Sequence, residues 1–159
     1  MTDERAKTGA GAGAGSDPHQ AQAAPLPGPG VGLPATAAAA RTLVREQLTL
    51  GAPDLQDGEA GARVVADALL VTSELVTNAI RHGDGLTAFD LWITDDGLIL
   101  NVADASTCPP VTTDPDSRGK GRIGGFGWPL VCRLAQHVAV TALPDGKQIT
   151  VLIGLTPSA

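Results

Sequence analysis

The chain has 159 residues, 43% apolar and 18% charged, with 17 Asp and Glu against 11 Lys and Arg and a formal net charge of −6. One compact domain is the default at this length, and the acidic balance excludes a general nucleic-acid or anionic-membrane binder, whose footprint is a basic face. No uninterrupted apolar run exceeds four residues, and Cys108 and Cys132 stand 24 positions apart without a clustered histidine, so no membrane span, secretory signal, zinc site or disulfide framework is expected and a reduced, cytoplasmic protein is the simplest reading.

Residues 1–34 hold seven Gly, seven Ala and five Pro. So little apolar side chain does not offset the roughly 1–2 kcal/mol per residue that ordering a backbone costs. The stretch reads as a disordered tail ahead of a domain at 35–159. Ala35 to Leu50 is Ala-rich with Leu43, Val44 and Leu48 at helical spacing, and Gly51-Ala52-Pro53 ends it. A longer helix is predicted from about Glu59 to His82. Its apolar positions Val65, Ala68, Leu69, Leu75, Val76, Ala79 and Ile80 step by three and four, which makes one buried face, and Gly83 supplies the stop.

The period then changes to two. Phe89, Leu91 and Ile93 alternate with other residues, and Asp96-Gly97 signals a tight turn into a second strand, Leu98 to Val102. Residues 105–127 form a long stretch rich in Gly, Pro, Ser and Thr. A short helix is predicted from about Trp128 to His137, with Pro129 suited to its first turn. Val138 to Leu143, a Pro144-Asp145-Gly146 turn and Gln148 to Leu155 read as a final hairpin. Helices first, then strands, with one helix between hairpins, predict a two-layer α+β sandwich.

Three places on this outline can carry chemistry. Glu74, Asn78 and Arg81 are four and three residues apart on the long helix and line one stripe beside its apolar face; alone, such a stripe is more often simply solvated. Asp104 stands where a strand runs out, followed by Ala105-Ser106. A carboxylate there often caps a turn, and it can also accept a hydrogen bond from an exocyclic amine such as that of adenine. Gly124-Gly125-Phe126-Gly127 opens directly into a helix, so backbone can approach a ligand and free amides at the helix start suit phosphate oxygens. An acidic domain does not attract a triphosphate by net charge, so such local grip matters.

Two decoys fail. Gly119 to Gly124 fits the Gly-x-Gly-x-x-Gly pattern, yet Pro115 to Arg118 precedes it instead of a hydrophobic strand. Gly146-Lys147-Gln148 lacks the upstream glycine and the Ser or Thr of a P-loop.

Taken in order, Ser73 to His82 (SELVTNAIRH), Asn101 to Ser106 (NVADAS) and Gly124 to Ala135 (GGFGWPLVCRLA) resemble the asparagine box and glycine boxes of the GHKL ATPase superfamily, in particular its bacterial anti-sigma-factor serine/threonine kinases. The resemblance spans about residues 35–155. It implies the two-layer sandwich of the Bergerat type, with a mixed, mainly antiparallel sheet and helices on one face. Asn78 would match the asparagine that ligates Mg²⁺ bridging the phosphates, a role its amide oxygen suits. Glu74 would match the acidic residue proposed as general base, and Asp104 the aspartate that reads the adenine amino group. Gly125 and Gly127 would match the glycines near the phosphates, and about Thr107 to Gly124 the ATP lid, from which Lys120 and Arg122 could close. Ser106, Trp128 and Gln148 complete the ATP-binding set. Two of these depart from the pattern: Trp128-Pro129 stands where a leucine-rich pair is more usual, and Gln148 where many relatives have Thr.

The activity the resemblance implies is Mg²⁺- and ATP-dependent transfer of the γ-phosphoryl group to a Ser or Thr of a small anti-sigma-factor antagonist. The alternative is a nucleotide-gated binding module that sequesters a sigma factor or another regulator without significant turnover. No nucleic acid or membrane partner is expected, and the resemblance allows a homodimer.

Overall fold

The computed structural model describes residues 32–110 and 127–156. The predicted tail therefore lies outside the described residues up to position 31, as does the predicted lid from 111 to 124, together with Lys120, Arg122 and Gly125.

Helix α1 (Ala37–Gly51) starts at Thr36, whose side-chain oxygen accepts from the Ala39 amide at 3.1 Å. Its buried stripe, Ala40, Val44 and Leu48, repeats every four residues. The Gly51-Ala52-Pro53 break, a plain stop on sequence grounds, turns into one 3₁₀ helix, Pro53–Gln56, which sends Leu55 into the core. Helix α2 (Gly58–His82) is 25 residues long and buries Ala68, Val71, Thr72, Leu75, Val76 and Ala79. Ile80 was expected on this face and is 42% exposed. The buried residues centre on a line through Ala68, Leu75 and Ala79, and at 100° per residue Ile80 falls well to one side of it. Among the described residues no helix is long and apolar enough to cross a membrane.

The helix ends at His82 with Gly83 as its C-cap, where the glycine stop is expected, but the cap is not itself left-handed. Gly83 has φ −102°, and the left-handed conformations fall on Asp84 (φ 56°) and Gly85 (φ 111°). Strand β1 (Leu86–Thr94) and β2 (Gly97–Asp104) follow as a hairpin turning on Asp95 and Asp96, with Gly97 already paired to Thr94. Helix α3 (Gly127–Leu134) stops three residues before the predicted His137, because His137 is already the first residue of β3 (His137–Leu143). Strand β4 (Gly146–Ile153) closes the second hairpin.

The four strands run in the order β1-β2-β4-β3, and every described pairing is antiparallel. Phe89 and Leu91 of β1, Leu98, Leu100 and Val102 of β2, and Ile149, Val151 and Ile153 of β4 are buried in one core cluster with residues of α1 and α2, and β1 and β2 lie directly against those helices. The period of two thus gives the sheet one apolar face under the helices. The fold is the expected α+β two-layer sandwich, with the strand pairing wholly antiparallel among the described residues where a mixed sheet was expected.

Candidate functional site

The C-terminal half of α2 is the spine of the site. Leu75, Val76 and Ala79 anchor it on the core, and that fixes the rotation of the helix. Glu74 and Asn78, one turn apart, then flank the buried face and are both half-buried.

Each end of this half-helix meets one of the other two motifs through a glycine. At the Glu74 end lies Gly127, the first residue of α3. A Cβ added there would fall on Glu74 Oε2 and stand 3.0 Å from the carboxyl carbon. The carboxylate therefore lies at the start of α3, where unsatisfied amides and the helix dipole favour negative charge. At the other end lies Gly83, where an added Cβ would stand 2.5 Å from Asp104 Cγ and 2.6 Å from its Oδ2. From Glu74 to Gly83 the helix rises about 13 Å at 1.5 Å per residue. Asn78 lies between.

Asp104 ends β2 on the helix side of the sheet and is 4% exposed. Its Oδ1 accepts from the Ser106 amide at 3.0 Å and from Lys147 Nζ at 2.8 Å. Lys147 is itself buried and also reaches the Ser106 carbonyl at 3.4 Å. Ser106, buried, accepts at its hydroxyl from the Cys108 amide at 3.2 Å. These bonds tie down the turn after β2, so Asp104 is held from both sides. A hollow of 290 Å³ opens beside it, lined by Thr87, Leu143, Pro144 and Asp145 as well. A larger hollow of 460 Å³ lies toward the other end of α2, along Glu59, Arg63, Asp67 and Gln136, and none of the predicted site residues lines it.

The remaining predicted residues divide. Trp128, in the first turn of α3, packs against the hydrophobic core. Gln148 is on the face of the sheet away from Asp104: its amide donates to Thr150 Oγ1 at 3.3 Å, and Thr150 in turn donates to Asn101 Oδ1 at 2.6 Å. Lys147, its neighbour, stands opposite Asp104 in the β2-β4 register. On sequence grounds Lys147 belongs only to a failed P-loop pattern and Gly83 is only a helix stop. The signal for Lys147 was present, since it shares its strand parity with Ile149, Val151 and Ile153 and so belongs to the buried face. Nothing local marks Gly83 as touching Asp104, because that contact joins a helix end to a distant strand end.

The donor set also limits what metal fits. Among the described residues no group of three or more His, Cys, Asp or Glu side chains could hold an ion. Asn78 offers one neutral amide oxygen with Glu74 a turn away. That suits a Mg²⁺ that arrives on phosphates and keeps several waters, and not a resident ion in an all-protein cage.

The described residues thus place on an α+β sandwich a half-helix with an acidic and an amide group along one flank, a glycine-led helix start at one end and a buried carboxylate at the other. Residues 33–153 match the family model of the histidine kinase-like ATPase domain, and the chain belongs to that family. ATP is the nucleotide that this membership indicates for the domain. Comparison with curated proteins gave no match.

Proposed function

We propose that the chain is a Mg²⁺-dependent serine/threonine protein kinase of the anti-sigma-factor type, acting on a small antagonist protein. The observation that supports this best is the alignment of Glu74 and Asn78 along one half-helix, with Gly127 beside Glu74 at one end and Gly83 beside Asp104 at the other. An adenine amino group facing Asp104 leaves the triphosphate running along α2 past Asn78 to the start of α3. Backbone amides there and the Asn78 oxygen would hold the phosphates, and Mg²⁺, when bound with the nucleotide, supplies charge neutralisation between them.

In the transfer step the hydroxyl oxygen of the substrate Ser or Thr bonds to the γ-phosphorus as the bond to the β-γ bridging oxygen breaks. ADP leaves with that electron pair, and the hydroxyl proton passes to the Glu74 carboxylate. Positioning and electrostatics carry most of such a reaction, so a small domain with one base suffices.

Incubation with labelled ATP, Mg²⁺ and candidate antagonists tests the reading. Label on a partner Ser or Thr is expected, and it is expected to vanish with Glu74→Gln. ATP binding without transfer to any partner would move the function to a nucleotide-gated module that sequesters a sigma factor or another regulator. In that case Glu74→Gln keeps sequestration and Asn78→Ala loses it.

A further inference from the structure

We propose that Lys147 is a positioning residue for nucleobase recognition: with the Ser106 amide it occupies Oδ1 of Asp104, so that Oδ2, beside Gly83, is the oxygen presented to an exocyclic amine. The inference rests on the reading of Asp104 as the base-facing carboxylate of the ATP site.

Three observations carry it. The pair is buried, with 10% of the Lys147 side chain and 5% of the Asp104 side chain exposed. A buried ion pair is seldom needed for stability, since apolar residues of similar volume serve as well or better, and the strand positions beside these two are the apolar Val102 and Ile149. A function for the carboxylate accounts for keeping it.

The hydrogen bonds are also one-sided. Both donors reach Oδ1, at 2.8 and 3.0 Å, and no described residue donates to Oδ2. The terminal torsion of an aspartate is broad, so two donors on one oxygen orient the other. Lys147 is in turn held by the Ser106 carbonyl at 3.4 Å and by standing directly opposite Asp104 across the ladder.

A glycine also stands against the carboxylate on its Oδ2 side. Gly83 lies where any side chain would stand 2.5 Å from Asp104 Cγ and 2.6 Å from Oδ2, with Oδ1 not among its near atoms. The carboxylate is thus anchored through one oxygen and kept clear at the other, which suits a planar ring carrying a hydrogen-bond donor and disfavours one carrying an acceptor there.

The test compares the affinities of ATP and purine riboside triphosphate, which lacks the 6-amino group, for the full chain by calorimetry. Wild type is expected to prefer ATP by about tenfold, the worth of one hydrogen bond to a charged acceptor. Lys147→Met is expected to bring that preference close to one while purine riboside triphosphate binds as before. An unchanged preference overturns the proposal. Equal weakening of both nucleotides overturns it too, by showing a purely structural role, and tighter ATP binding overturns it by making the lysine a competitor for the carboxylate. If Lys147→Met does not fold, Lys147→Gln is read on the same ratio: a smaller preference supports the proposal and an unchanged one overturns it. Wild type that binds neither nucleotide sinks the ATP reading itself, an outcome distinct from failure of the lysine's role.

Discussion

Asp104 and Lys147 stand opposite each other on β2 and β4, and the lysine Nζ lies 2.8 Å from the aspartate Oδ1 with both side chains almost wholly buried. Removing one partner leaves the other as an uncompensated buried charge. Asp104→Ala is therefore expected to lower unfolding free energy by about 3–5 kcal/mol. The double variant Asp104→Leu with Lys147→Met is expected to recover most of the loss. Urea denaturation of the single and double variants measures both, and a double variant no more stable than Asp104→Ala would contradict the pairing.

Gly83→Ala separates folding from binding. A methyl there would stand 2.5–2.7 Å from the Asp104 carboxylate and the Ala79 carbonyl, so one of them must shift, at a cost of about 1–3 kcal/mol for an overpacked contact. The expected outcome is a folded domain with a slightly lower melting temperature and ATP affinity reduced about tenfold or more. Wild-type ATP affinity in the alanine variant would mean that the space beside Oδ2 is not used.

Glu74 and Asn78 are expected to fail in different ways. Glu74→Gln removes a proton acceptor and leaves the shape unchanged, so ATP affinity is retained while phosphoryl transfer or hydrolysis falls about a hundredfold or more. Asn78→Ala removes the amide oxygen suited to Mg²⁺, so the gain in ATP affinity on adding Mg²⁺ is lost. Titration with and without the metal, beside a turnover assay, distinguishes the two.

Gly127→Ala places a methyl on Glu74 Oε2. The carboxylate must move or α3 must shift along α2, so ATP turnover is expected to fall together with, and not independently of, the response to Glu74→Gln. A double variant that is no worse than Glu74→Gln alone is the expected non-additive result.

The core gives a control away from the site. Leu100 of β2 and Leu75 of α2 are essentially unexposed in the core, and truncating either to Ala is expected to cost about 2–5 kcal/mol. Ile80→Ala, at 42% exposure, is expected to change stability by much less, within about 1 kcal/mol. Parallel denaturation curves settle the contrast.

Much of the fold is legible because its signals are local. The four-residue step of Ala40, Val44 and Leu48, the alternation through Phe89 and Leu91, and the turn residues near Gly97 and Gly146 each act within a few positions. The errors occur where neighbours in space decide. The helix opening at Gly127 stops at Leu134 because His137 is drawn into a ladder with Leu152. Ile80 is exposed because the rotation of α2 is set by the whole row of residues packed on the sheet.

The candidate site divides in the same way. Glu74 and Asn78 are legible as a pair because four residues make one helical turn, and Asp104 is legible as a strand-end carboxylate. The order of strands, with β4 beside β2, is what brings Lys147 to Asp104 and turns Gln148 to the opposite face. By itself the amino-acid sequence determined the elements, the sandwich and the types of group available for nucleotide chemistry, since periodicity and motif order act along the chain. Only the tertiary structure decided which groups meet: Gly83 with Asp104, Gly127 with Glu74 and Lys147 with Asp104. Those meetings depend on register and helix rotation, which are set by packing between segments far apart in the chain.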